Sequence, residues 1–300
     1  MDNNSATQTL FRSMRLPFLM LTPACLFLGW SVAITNGVDF DIHLAFLTLI
    51  GAACAHISVN TLNEFFDYKS GLDLKTDRTP FSGGSGALVE HPKMHKAVLI
   101  VGIVTLLITL AIGLCFIWKY GWAIIPLGVV GALLIVFYTG WINRHPFLCL
   151  ISPGLGFGFL MVLGAYFSLT GEYPLALVLI CLVPFFLINN LLLLNQYPDI
   201  SPDKHVGRKT FPIVYGIRSS NTVYAIFNLL ATLVIMMAVS FNLLPQASLL
   251  ALLLMLLTLY SLNGAVKHGS QLGKHPKYLA ANVIVANFVP VVLGLSIIFG

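Results

Sequence analysis

Seven of the eleven acidic residues in this 300-residue sequence fall in two short stretches, 63–96 and 195–219, each also rich in basic residues. The first opens with Asn63 and Asp67, four apart, which share one face if a helix continues that far. Asp73 and Asp77 follow beside Gly71, so a loop or a short second helix carries them. The second stretch sets Asn195, Asp199 and Asp203 at intervals of four, with Pro198 and Pro202 predicting a kinked or ending helix. Hard oxygens of this kind suit Mg²⁺, which keeps part of its water shell and commonly bridges carboxylates to phosphates. Asp67, Asp73, Asn195, Asp199 and Asp203 are thus candidates for holding two or more Mg²⁺ ions, while Lys69, Arg78, Lys204, Arg208 and Lys209 would meet a diphosphate. A single unit of this kind is more often a helix cap or a solvated face. Two units 132 residues apart, each ending an apolar segment, point instead to an internal repeat enclosing one cavity.

Positioning such groups falls to membrane helices. With 58% hydrophobic and 9% charged residues, the chain lies outside the soluble globular class. A hydrocarbon core of roughly 30 Å needs about 20 apolar residues per helix. Nine spans are expected, at 16–35, 44–63, 97–118, 122–138, 147–169, 175–194, 223–244, 247–266 and 278–299. Runs such as 233–239 and 249–257 are apolar on every side, which a β-barrel would not show. The expected fold is all-α: one domain over 1–300, a bundle of nine transmembrane helices around a central cavity. With the N-terminus placed in the cytoplasm, every Lys and Arg except Lys119 falls on the cytoplasmic side, together with both acidic stretches. The net charge of +5 needs no nucleic-acid partner, because contact with anionic membrane lipid accounts for it. The first span is longer than a secretory h-region and is read as retained.

Other residues have plainer readings. The run SGGSG at 82–86 allows close backbone approach or lid motion, but alone is an ordinary flexible loop. Cys25, Cys54, Cys115, Cys149 and Cys181 are scattered through apolar segments without paired spacing and read as buried, inert thiols. Loop histidines read as solvated, whereas His56, inside the second span, calls for an interhelical hydrogen bond. Trp118, Tyr120, Trp122, Tyr138 and Trp141 suit interfacial belts, with Tyr138 also a candidate for the cavity wall.

The sequence resembles the UbiA superfamily of intramembrane aromatic prenyltransferases. Asn63–Glu64–Phe65–Phe66–Asp67 with Asp73 is similar to its first Asp-rich motif, with Glu64 in place of the frequent Asp. Asn195, Asp199 and Asp203, followed by Gly207–Arg208–Lys209–Thr210 and Gly216, are similar to its second. Arg15, Tyr138–Thr139 and GLGFGFLMVLGAY in the fifth span extend the likeness over the whole chain. The resemblance implies Mg²⁺ held by both motifs, Asn63 included, an isoprenyl diphosphate as donor, Arg15 among its contacts, and catalytic roles for Asp67 and Asp199. The spacing from Asp67 to Asp73 is most similar to the 1,4-dihydroxy-2-naphthoate prenyltransferases of menaquinone synthesis, which implies an aromatic quinone precursor as acceptor and a bacterial or archaeal cell membrane with the site facing the cytoplasm. The loop after Tyr138, TGWINRHPFLCLISP, departs from that branch near the acceptor side. Prenylation of 4-hydroxybenzoate, homogentisate, haem or a glycerol phosphate lipid therefore stays open. A secondary transporter is the rival of another class, although its sites tend toward the bilayer midplane.

Overall fold

The structure, a computed structural model, describes residues 3–300, with side chains from Ser5 onward. A surface helix α1 (Asn3–Ser13) leads through a 3-10 stretch, Leu16–Met20, into α2 (Leu21–Thr35). The long α3 (Ile42–Ser70) starts at Asp41, whose carboxylate accepts from the His43 and Leu44 amides at 2.9 and 3.2 Å, and stops at Gly71 in the left-handed conformation. A single turn, α4 (Ala87–Glu90), precedes α5 (His95–Tyr120) and α6 (Ile125–Phe137). Next come α7 (Pro146–Pro153), a π-helical stretch Gly154–Met161, and α8 (Val162–Thr170). The second half comprises α9 (Leu175–Asn195), α10 (Ile200–His205), α11 (Phe211–Ser240), α12 (Ala251–His268) and α13 (Pro276–Phe299).

Among the described residues eight helical stretches, not nine, are long and apolar enough to cross a membrane. The difference lies where spans three and four were expected: Pro92–Phe137 counts as one apolar helical stretch of 46 residues, although Gly121 (φ 75°, ψ −158°) and the 3-10 turn Gly121–Ile124 break it between α5 and α6. Within it α6 has 13 residues and reaches only about 20 Å, less than the thickness of a hydrocarbon core. The segment 195–219 is also more helical than a connecting loop. It holds α10 and the start of α11, which Pro212 opens in its first turn and which breaks at Gly216 (φ 78°, ψ 167°) before continuing. The fold is that of an integral multi-pass membrane protein.

The main core joins α2, α8, α9, α11, α12 and α13 through side chains such as Leu28, Val162, Leu187, Ile235 and Val289. The outward faces are as apolar as the interior. Ile100, Leu107, Leu114 and Leu133 are exposed on α5 and α6, and Trp118 and Trp122 stand at 91% and 79% exposure near the turn between them. This suits a lipid surround and a belt role for the tryptophans. Cys25, Cys149 and Cys181 are buried, but Cys54 on α3 is half-buried and Cys115 on α5 is exposed. His56 bonds through Nδ1 to the Thr22 hydroxyl at 2.9 Å, an interhelical hydrogen bond between α3 and α2.

The π-helical stretch has a local cause. Pro153 supplies no amide proton, and the neighbouring Gly154 N–H is shared between the Ile151 carbonyl and Asn189 Oδ1 on α9, the latter at 2.6 Å. A Cβ on Gly154 or Gly158 would fall against the backbone of Phe185, so α9 packs directly on this stretch.

A closed polar triad ties α9, α11 and α13 together in the same half. Asn190 Nδ2 donates to the Tyr224 carbonyl (2.9 Å), Tyr224 OH to Asn282 Oδ1 (3.0 Å), and Asn282 Nδ2 to the Asn190 carbonyl (3.0 Å). All three side chains are buried. Asn282→Ala removes two of these three bonds, and its expected cost is about 1–2 kcal/mol, read as a lower thermal midpoint of the purified protein in detergent. An unchanged midpoint would show the triad to be idle.

Candidate active site

A cavity of about 850 Å³ runs into the bundle from the ends of α3 and α9. Its deep walls are apolar, with Leu106, Ile117, Leu127, Ile135, Phe157 and Leu160 among them. Its mouth carries Arg15, Asn63, Asp67, Asp73, Asn195, Asp199, Asp203 and Arg208. Leu110, Leu114 and Val129 line it and are also exposed on the outside of the protein, so the apolar part opens sideways between α5 and α6.

The first acidic motif rests on the last turns of α3, where Asn63 and Asp67 stand one turn apart. The left-handed Gly71 then reverses the chain and delivers Asp73 in the 3-10 turn Leu72–Leu74. The second motif is divided between elements: Asn195 ends α9, Asp199 precedes α10, and Asp203 lies within it. Pro198 thus falls between two helices while Pro202 sits in the first turn of α10, and a fourfold spacing along the chain becomes convergence from two directions.

Two arginines join the motifs. Arg208 gives Nη1 to Asp203 Oδ1 at 2.9 Å and Nη2 to Asp67 Oδ1, bridging second motif to first. Arg15 adopts a left-handed backbone (φ 54°), strained for a residue with a Cβ, and reaches Asn63 Oδ1 at 3.2 Å and Glu64 Oε2 at 3.3 Å.

The run Ser82–Gly86 closes over this arrangement. The Gly83 amide donates to Asp199 Oδ2 (3.1 Å), the Ser85 amide to Glu64 Oε2 (3.1 Å), and the Ser85 hydroxyl to Glu64 Oε1. Gly84 has φ 72°, and a Cβ there would press on Asp73 Oδ1. The run is therefore a fitted strap between the motifs, not a flexible linker. From outside, Arg12 on α1 pairs with Glu90 (2.5 and 2.8 Å) and donates to the Ser85 carbonyl at 2.9 Å.

The acids outnumber their partners. Burial, followed by the charges of Glu64 and Asp67, pushes Asp73 up to about 7; burial and Asp203 do the same to Asp199. Burial raises Asp203 to about 6 despite Arg208. Burial alone would lower the Arg208 pKa, but Asp67 and Asp203 outweigh it and hold the guanidinium charged. Asp73 Oδ2, Asn195 Oδ1 and Asp199 Oδ1 are buried without a hydrogen-bond partner. Such orphaned hard oxygens beside under-neutralised carboxylates are the donor set a divalent cation completes. Among the described residues no three His, Cys, Asp or Glu side chains already converge as a metal cage.

The structure thus brings to one cavity Asn63, Asp67, Asp73, Asn195, Asp199, Asp203, Arg15, Arg208 and Tyr138. It does not bring Lys69, Arg78, Lys204 or Lys209, none of which lines the cavity. Lys69 lies over the Phe65 ring, Arg78 turns to Glu90 at 3.7 Å, and Lys204 and Lys209 are exposed. Long side chains beside an acidic motif reach water as readily as the site, and sequence spacing does not separate the two. Asp77 is likewise exposed. Sequence reasoning missed Ser85 and Asn143 and gave Glu64 no task. The unusual Glu64, fully buried beneath the strap, was the one available signal.

Residues 24–282 match the UbiA prenyltransferase family, and the chain belongs to that family. It is 30% identical over 191 residues to a 1,4-dihydroxy-2-naphthoate octaprenyltransferase of Bacillus subtilis, a match covering 63% of this chain and 60% of that protein. It is 28% identical over 217 residues to the Escherichia coli protein of the same description, covering 71% and 70% respectively. The fold is similar to that of a UbiA homolog from Archaeoglobus fulgidus bound to DMAPP and Mg²⁺, with a TM-score of 0.68 at 19% identity over 97% of this chain and 99% of that one. A UbiA homolog from Aeropyrum pernix also gives 0.68, at 16% identity over 94% and 97%.

Ser85→Ala removes the hydroxyl contact to Glu64 and the Oγ that accepts from the Ala87 amide at 3.1 Å. The expected loss of about 1 kcal/mol in local closure makes protease cleavage within 79–91 roughly fivefold faster at unchanged global stability. Equal cleavage rates would show that the strap is held elsewhere.

Proposed function

We propose that this chain transfers an isoprenyl group from a prenyl diphosphate to an aromatic quinone precursor, 1,4-dihydroxy-2-naphthoate, in menaquinone biosynthesis. The observation that carries the proposal is the polarity of the cavity. Orphaned carboxylate and amide oxygens and two arginines sit at one end, and an apolar shaft opening sideways makes up the other. A diphosphate on a long hydrocarbon arm has that same division. The relatives from Bacillus subtilis and Escherichia coli, described as 1,4-dihydroxy-2-naphthoate octaprenyltransferases, support the choice of acceptor. The whole chain would act as one prenyltransferase domain, with its site on the cytoplasmic side where Lys and Arg gather.

Asn63, Asp67, Asp73, Asn195, Asp199 and Asp203 are the residues that would hold Mg²⁺, and the unpartnered oxygens of Asp73, Asn195 and Asp199 fit that task. When bound, the metal supplies positive charge against the diphosphate oxygens. Arg15 and Arg208 add charge on the same side, so the allylic C–O bond breaks with its electron pair leaving on diphosphate. The apolar walls keep water from the allylic cation at the first carbon of the arm. The acceptor ring attacks that carbon, and loss of a proton or of the ring carboxyl as CO₂ restores aromaticity. Tyr138, on the wall near Arg208, stands where the ring would enter. Positioning and fixed charge supply the acceleration.

The direct test incubates purified protein with Mg²⁺, labelled geranylgeranyl diphosphate, and 1,4-dihydroxy-2-naphthoate or 4-hydroxybenzoate in parallel. A product from the naphthoate that EDTA abolishes is expected; product from 4-hydroxybenzoate alone would overturn the acceptor, and none from any acceptor would overturn the reaction. Asp67→Ala and Asp199→Ala should each cut turnover by at least ~10³-fold while membrane insertion is kept, since neither side chain belongs to the apolar faces. Full activity in both would sink the assignment of these residues.

A further inference from the structure

A second pair of unpartnered atoms lies in the cavity, apart from the acids. Asn143 and Thr210 line it at 5% and 2% exposure, and neither Asn143 Oδ1 nor Thr210 Oγ1 has a hydrogen-bond partner. The two positions are neighbours: the Lys209 amide donates to the Asn143 carbonyl at 2.9 Å, drawing 208–210 alongside the turn Ile142–Arg144. The Asn143 amide donates in turn to the Tyr138 carbonyl at 3.1 Å, which places Tyr138 on the same wall. Thr210 stands at the N-terminal boundary of α11, where a threonine hydroxyl usually caps the helix, yet its side chain makes no capping bond. Buried polar atoms rarely stay unpaired, and here two do so in one place, against open cavity.

The chemistry of the pair selects its ligand. An amide oxygen only accepts, and a hydroxyl donates or accepts. A diphosphate offers acceptors alone and would set its lone pairs against Asn143 Oδ1. A cation would find two neutral groups here, whereas the unpartnered acid oxygens of the mouth offer it negative charge. A hydroxyl on an aromatic ring gives a proton to Asn143 and takes one from Thr210, satisfying both. We propose that Asn143 and Thr210 form the subsite that recognises a ring hydroxyl of the aromatic acceptor, and so set acceptor specificity. The proposal rests on the prenyl-transfer reading and deepens it. It also gives a role to the stretch after Tyr138, where the sequence departs from the branch it otherwise resembles.

Steady-state kinetics of the full chain in detergent test it with Thr210→Val, Thr210→Ser and Asn143→Ala, using 1,4-dihydroxy-2-naphthoate and its monomethyl ethers as acceptors. Thr210→Val and Asn143→Ala should raise the acceptor KM by roughly 10- to 100-fold, with the KM for the prenyl diphosphate unchanged. Thr210→Ser should restore the wild-type value. With the ether that blocks the recognised hydroxyl, wild type and Asn143→Ala should no longer differ, since an ether oxygen has no proton to give Asn143. The subsite is overturned if the acceptor KM stays put, if donor and acceptor KM rise together, or if the variants discriminate against both ethers as wild type does. Should Asn143→Ala fail to fold, the Val and Ser pair at Thr210 decides alone. Wild-type protein that prenylates no hydroxyarene overturns the reaction itself, a failure distinct from that of the subsite.

Discussion

One guanidinium holds the two halves of the chain in register. Arg208 lies after α10 but reaches both Asp203 of its own motif and Asp67 at the end of α3. Removing one partner from a buried ion pair is far costlier than the net worth of the pair, because a stranded charge remains. The ends of α3, α9 and α10 are therefore obliged to meet. Arg15 repeats the constraint at the other edge of the mouth, where a strained backbone is tolerated so that its side chain reaches Asn63 and Glu64. The strap 82–86 then closes on carboxylates whose places are already fixed.

Below the mouth the packing changes character. Backbone-to-backbone contact at Gly154 and Gly158 brings the π-helical stretch hard against α9, while the triad of Asn190, Tyr224 and Asn282 locks α9 to α11 and α13. The half of the bundle behind the second motif is thus rigid and close-packed. The α5–α6 layer has little buried surface, its side chains facing either the cavity or the outside. A firm wall and a thin one enclose the same cavity.

Apolar length and acidic spacing made much of this readable in the sequence. Hydrophobic runs locate membrane helices because each must span a fixed thickness, and Asn63, Asp67, Asn195 and Asp199 stand out because carboxylates at such helix ends are costly without a task. The division of the 97–138 region was misjudged, since composition reports apolarity and not whether a short 3-10 turn ends one span and starts another. The early start of α11 was missed for a related reason: 211–222, with Pro212, Gly216 and the polar run after it, read as connection, yet it is helical on both sides of the break at Gly216. Four of the six basic candidates lie off the cavity, since Lys and Arg next to a motif are free to turn to water. Asn143 carried no sequence signal at all, because a lone asparagine in a loop becomes a cavity residue only once Lys209 is drawn beside it.

The sideways opening at Leu110, Leu114 and Val129 joins the interior to an outer face as apolar as lipid. A hydrocarbon arm longer than the shaft continues into the bilayer, so the protein has no need of a terminal stop that measures it. The mouth, by contrast, meets water. A ligand with a charged head and a greasy arm reaches this site by diffusion in a plane, and its supply depends on how many such molecules share a patch of membrane, while a small polar co-substrate is counted per volume of solution. One cavity therefore works at the boundary of two solvents, and thinning the first ligand among added lipid would starve it even where its amount per volume of sample never changed.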